Sequence, residues 1–238
     1  MFDWFSKEKS KAQEVSPGGS VIHRYSNETW SAGQTGPPDE LVEQQREARH
    51  AVYAKIFGEA PQVSADAESR RPRIDIHEYR RRNANGADVY ALVTSGMSDL
   101  PMNVPAKAKA PSRVELVFYC AEPKPEYVET IRWIAHFPHD QKTWVGSAHT
   151  IPNGNPPAPF WGSPILDTIL LMPTIVKRDQ ELPDQLSIAG QGVDLLWVVP
   201  LTKAECDLKL AKGLDAILDL FQQNSHPHVF DPHRPSYV

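Results

Sequence analysis

Nine histidines in 238 residues make metal chemistry the first possibility to weigh. His226-Pro-His228 and His233, with Asp231 between them, bring together imidazole and carboxylate, the ordinary ligands of zinc. The spacing matches no recognised zinc motif, and prolines 227, 232 and 235 stiffen the segment. A terminal segment packed on the domain is therefore the favoured reading. His136, His139 and His149 form a second grouping, read as polar residues at a helix end and in a loop. For acyl transfer, Ser98, His149 and Asp75 supply the residue types of a Ser–His–Asp set, and Ser98 follows Gly96 after a strand. Yet there is no G-x-S-x-G elbow, no phosphate-binding loop, no dinucleotide fingerprint and no paired Cys-x-x-Cys. The expectation is no catalytic residue, no metal and no cofactor. A metal-dependent hydrolase using histidines from 136–149 or 226–233 stays as the alternative.

Surface chemistry is what remains. Trp30, Trp144, Phe160 and Trp161 lie in predicted loops, where large aromatics either anchor irregular backbone or contact a partner. The run Ile74-Asp-Ile-His-Glu-Tyr79 alternates at period 2. Ile74 and Ile76 then face inward, and Asp75, His77 and Tyr79 share the other face, solvated or partner-facing. Lys plus Arg total 25 against 30 Asp plus Glu, a net charge of −5, which argues against a general nucleic-acid binder. By elimination the residues describe a binding module, and an extended peptide captured on a sheet edge is a further alternative.

The elements that must position these residues follow from the prolines. Proline accounts for 22 residues, about 9% against roughly 5% in average usage. None falls in 39–60, 73–100 or 201–226, so the long helices belong mainly there. Asp39 caps a predicted helix over 39–57, with Leu41, Ala48, Val52 and Ile56 inward. Strands are predicted at 74–79, 89–94, 114–120, 166–171 and 195–199, the second and third as neighbours, and Arg80–Arg82 reads as a solvated turn. Pro125 opens a helix to about His136. Thr202-Lys-Ala-Glu205 is a capping box opening one long helix, its stripe formed by Cys206, Leu210, Leu214, Ile217, Leu218 and Phe221. Without strict βαβ alternation, the fold class is α+β: a single domain with a mixed, mostly antiparallel central sheet flanked by helices. Residues 1–20 read as a flexible N-terminal tail whose Phe2, Trp4 and Phe5 end in a frayed terminus, and residues 21–238 as the domain. Cys120 and Cys206 are too few for a disulfide framework and read as buried thiols. No signal peptide or membrane-spanning stretch is present, so the expected location is cytoplasmic, with no membrane contact.

Three stretches carry a resemblance. Leu92-Val-Thr-Ser-Gly-Met-Ser-Asp-Leu-Pro-Met-Asn-Val-Pro105 resembles the core motif of the Suppressor of fused domain family. So do Ile131-Arg-Trp-Ile-Ala-His-Phe-Pro-His139, continuing through Thr143–Gly146 to His149–Pro157, and Val199–Glu205 with Leu208–Gly213 and Leu218–Phe221. With Ile74–His77 they run in family order over roughly residues 40–235. The resemblance implies a single α+β domain that is not an enzyme and acts through protein–protein contact. The animal member sequesters transcription factors of the Hedgehog pathway, gripping a peptide strand between this domain and a second one. These 238 residues match only the first, so that grip is not expected here. Short members are similar to the bacterial branch, some of which are thought to be immunity proteins that neutralise a toxin. A cognate toxin is thus the partner the resemblance implies, with direct nucleic-acid binding not expected. The candidate contact residues are Asp75, His77, Tyr79, Met97, Ser98, Asp99, Trp144, His149 and Asn153. The motif also admits a purely architectural reading. Gly96 permits an unusual backbone angle, Asp99 caps the next turn, and His149 with Asn153-Gly154 is either a loop staple or part of the same surface.

Overall fold

The computed structural model describes residues 14–25, 39–59, 61–67, 71–83 and 85–238. In chain order the elements are β1 (Glu14–Val15), β2 (Val21–Ile22), α1 (Asp39–Ile56), β3 (Gln62–Ser64), β4 (Asp75–Arg82) and β5 (Asp88–Ser95). A single 3-10 turn, Met97–Asp99, precedes β6 (Val114–Cys120) and α2 (Pro125–Asp140). There follow β7 (Thr150–Pro152), β8 (Leu166–Pro173), the one-turn α3 (Leu182–Gln185), β9 (Ser187–Ile188), β10 (Gln191–Gly192) and β11 (Asp194–Thr202). Two helices, α4 (Lys203–Lys212) and α5 (Leu214–Gln223), complete the series.

Seven strands form one sheet in the order β3-β4-β5-β6-β11-β8-β7. Every neighbouring pair is antiparallel except β6 with β11. This is the expected mixed, mostly antiparallel α+β architecture, and β5 pairs with β6 as predicted, Tyr90 opposite Cys120. Both faces of the sheet are covered. Val52, Tyr53 and Ile56 of α1 and Phe57 just after it, with Leu182 and the α5 residues Ile217 and Phe221, cover Tyr79, Ala91, Val93, Val117 and Tyr119. On the other face Tyr127, Ile131, Ile134 and Ala135 of α2, joined by Trp161, cover Ile76, Leu92, Leu116, Phe118 and Val198. Two-sided burial explains why β6 is buried at every position and reads as a continuous apolar run. Each large apolar side chain so placed contributes about 1.5–3 kcal/mol relative to exposure.

Several expectations are corrected. Arg80–Arg82 is not a turn but the end of β4, paired with Val89 and its neighbours. Arg81 donates to both carboxylate oxygens of buried Asp179, at 2.9 and 2.8 Å. The reversal comes after it, where the Asn83 side-chain oxygen accepts from the Asn85 and Ala87 N–H groups. In α1 the buried stripe is Gln45, Arg49, Val52, Tyr53 and Ile56, while Leu41 is 41% exposed. An arginine faces inward because buried carboxylates wait for it. The last helix is two: Gly213, at φ +90°, separates α4 from α5 and leaves Leu218 outside the buried stripe. The capping box itself forms as read. Residues 14–20 are no loose tail: β1 and β2 form a hairpin, the Gly18 N–H donates to the Leu210 carbonyl, and Lys209 donates to Ser20. Phe2, Trp4, Phe5 and Trp30, and the side chain of the expected cap Asp39, lie outside the described residues. Cys120 is buried, its thiol pushed up to about 12 by burial, whereas Cys206 is only half-buried.

The segment after α5 is tied back by an ion pair. Arg234 donates to both oxygens of Glu205, at 2.7 and 2.6 Å, and to the Pro200 carbonyl. Burial raises the Glu205 carboxyl, but the Arg234 hydrogen bonds and charge outweigh it and hold the group below its ordinary range. A depressed carboxyl contributes stability above its unfolded pKa and loses it as pH falls. Arg234→Ala, which strands a buried charge, is expected to cost about 3–5 kcal/mol in urea unfolding. Glu205→Gln is expected to lose less stability than the wild type as pH drops below the usual glutamate range.

Candidate functional site

Glu115 projects from β6 toward α1 and is fully buried. Its carboxylate accepts from Thr94 Oγ1 at 2.6 Å, the Gly96 N–H at 3.1 Å, the Ser98 N–H at 3.0 Å and Ser98 Oγ at 2.6 Å. Arg49 of α1 lies alongside, its Nη1 2.5 Å from Asp99 Oδ1, its Nε donating to Ser95 Oγ at 3.0 Å and standing 3.8 Å from Glu115. Arg113 donates to the Ser98 carbonyl, and a ring nitrogen of His139 bonds the Met97 carbonyl at 3.1 Å. Burial raises the carboxyls of Glu115 and Asp99 while the Arg49 charge opposes it. Gly96 has φ +126°, and a Cβ there would stand 2.0 Å from the Arg73 carbonyl oxygen. Only glycine fits that approach.

The motif 94–99 is thereby absorbed into the interior. Met97, Ser98 and Asp99 are 1, 0 and 5% exposed, which takes them off any contact surface in this conformation. Asp99 does not cap a turn but pairs with Arg49. His77 and Tyr79 are corrected likewise: α1 covers their face of β4, burying both. Their side chains bond each other at 3.2 Å, and burial, then the neighbouring His50, pushes His77 down to about 4. Asp75, its side chain 13% exposed, accepts from the Asp66 N–H and from Arg73, stapling the loop after β3. Exposed Asn153 donates to the Ala158 carbonyl at 2.6 Å and so staples its own loop.

The histidine groupings are dispersed by their partners. His136 bonds Asp66 at 2.9 Å, and His226 stacks on Phe221 with ring centroids 4.0 Å apart and bonds Tyr237. Ser98, His149 and Asp75 are each engaged elsewhere, with Glu115, Trp144 and Asp66 respectively. Among the described residues no group of three or more His, Cys, Asp or Glu could hold a metal ion, and no helix is long and apolar enough to cross a membrane.

Trp144 and His149 are placed differently. They sit on the connection between α2 and β7, ring centroids 4.3 Å apart, and burial pushes His149 down to about 4. Two backbone bonds, Ala148 N–H to the Leu171 carbonyl and Leu171 N–H to the His149 carbonyl, pin this connection to β8. The Asn103 N–H donates to the Thr143 carbonyl and so joins it to the loop before β6. Between these loops and the start of β11 opens a cleft of ≈ 590 Å³, lined by Lys109, Pro111, Trp144, Ser147, Thr174 and Asp194 among others. That volume lies within the roughly 300–1,000 Å³ of small-ligand sites. Lys109 and Asp194 carry no motif. An acidic residue at the head of the apolar run 195–201 was the signal available for Asp194.

Asp99→Ala leaves Arg49 short of its nearest carboxylate, and the expected result is a stability loss of about 3–5 kcal/mol by denaturant unfolding. Gly96→Ala, forced into a left-handed angle against backbone, is expected to lose at least about 2 kcal/mol.

A family model described as Suppressor of fused protein (SUFU) matches residues 70–235. The fold is similar to a crystal structure of a SUFU homologue from Neisseria gonorrhoeae FA 1090, at TM-score 0.61 and 16% identity, covering 82% of this chain and 98% of that one. It is also similar to a chain of the Sufu–Fu complex, at TM-score 0.58 and 11% identity, covering 81% and 92%. Drosophila Suppressor of Fused matches at TM-score 0.55 and 11% identity, over 86% of this chain and 52% of its own length. No curated protein matches the sequence. With its model matched over most of the chain, and the strand, turn and helix motifs in their places, this chain belongs to the Suppressor of fused family.

Proposed function

We propose that this chain is a non-catalytic protein that binds a protein partner stoichiometrically and masks its functional surface, with neutralisation of a bacterial toxin as the setting. The observation that carries the reading is the disposition of polar groups. Residues 94–99 of the family motif are spent inside the fold on Glu115 and Arg49, while the open concavity is walled by an aromatic and flanked by loops. A structural neighbour is a chain of the Sufu–Fu complex, which supports protein contact as the mode of action. Trp144 and His149 are the partner-facing residues of this proposal, since the other candidates are buried or staple loops. Capture of a peptide on a sheet edge has less support, because both edge strands, β3 and β7, are three residues long and offer few backbone groups. The net charge of −5 suits a basic partner, because complementary charge steers association and orients the encounter.

The test is affinity purification from the native cell followed by reconstitution of the captured protein with the purified chain. The expected outcome is a one-to-one complex by light scattering, which protects cells from growth arrest caused by the partner. Trp144→Ala is expected to weaken that complex at least tenfold, about 1.4 kcal/mol. Repeated capture of no protein, or turnover of a substrate by the purified chain, overturns the reading.

A further inference from the structure

Asp194 opens β11 on the wall of the cleft and is half-buried. Three buried carboxylates elsewhere are matched by arginines: Asp99 by Arg49, Asp179 by Arg81 and Glu205 by Arg234. No such partner reaches Asp194 among the described residues, and desolvation is the one influence on its carboxyl, raising it. A half-buried carboxylate without a counter-charge costs stability. This carboxylate is left open on the concave surface, whose lining also carries the indole of Trp144. A carboxylate and an aromatic face together are the two groups that recognise a guanidinium: the fork pairs with the carboxylate, and the flat cation stacks on the ring.

We propose that the cleft receives an arginine side chain presented by an extended, basic segment of the protein partner, with Asp194 as the ion-pair acceptor and Trp144 as the aromatic wall. This rests on the protein-masking reading and adds to it the chemistry of what is masked. Exposed Ser147 lines the same cleft and supplies a hydroxyl for the backbone of the incoming segment.

The experiment titrates the full chain with a capped oligo-arginine peptide and with its citrulline counterpart, equal in shape but uncharged. Backbone and indole NMR shifts report the binding site. Saturable shifts at Trp144 and Asp194 are expected for arginine, at least tenfold weaker for citrulline, weaker in salt, and at least tenfold weaker for Asp194→Asn. Melting of Asp194→Asn is expected at or above the wild-type temperature, since the substitution removes an unmatched charge. Equal binding of the two peptides, shifts confined to other surfaces, or a lowered melting temperature overturns the assignment. The two readings fail separately. A native partner held equally by wild type and Asp194→Asn sinks the arginine site and leaves masking intact. Arginine binding in a chain that captures no protein sinks masking alone.

Discussion

The Glu115 carboxylate is the point on which the upper half of the sheet depends. One buried anion gathers a threonine hydroxyl from the end of β5, two backbone N–H groups and a serine hydroxyl from the turn that follows. It holds that turn in a tight left-handed start that only Gly96 permits. Arg49 then fastens α1 to the same cluster through Asp99 and Ser95. A buried ion pair adds little net stability over a well-packed apolar substitute, while removal of one member is costly. Its role here is positional: it sets where β5 ends, how the chain leaves the sheet, and on which face α1 lies.

Consequences propagate to the cleft through covalent and backbone contacts. Leu100 leaves the turn, the Met102 N–H donates to the Ser112 carbonyl and closes the following loop, and the Asn103 N–H holds the next connection at Thr143. Trp144 comes one residue later. The loop that carries Lys109 and Pro111 is therefore hung between the Glu115 cluster and the α2–β7 connection, with Arg113 bonding the Ser98 carbonyl at its far end. The buried part of the family motif, residues 94–99, thus still shapes the surface that a partner would meet.

How much of this was legible depends on the range of the interaction. Period-2 runs, the Thr202–Glu205 capping box and Pro125 are local signals, and the strands and helix starts they mark are present. The partner of Arg81, 98 residues away at Asp179, left no local trace, so three arginines in a row read as a turn. His77 and Tyr79 were legible as one face of a strand, but their burial is decided by α1, which arrives from elsewhere in the chain. Gly213 sat inside a helical pattern, and the apolar stripe concealed the break. The core motif was visible as a motif. Its role required knowing that Glu115, in the middle of an apolar strand, points at it.

Charge in the cleft is set by fewer groups than the composition suggests. Burial pushes His77, His139, His149 and His226 each down to about 4, so at neutral pH these rings carry no proton charge. His149 matters most because it already touches the Trp144 ring edge-on. An imidazolium there would itself supply a cation to the indole and compete with one from outside. Held neutral by desolvation, it packs against the indole without that competition. Lys109 and Asp194 are then the ionised groups on the open lining, Asp179 being matched by Arg81. In a chain with 30 acidic residues, the arginine site proposed above therefore rests on one carboxylate, Asp194, whose desolvation favours a counter-charge.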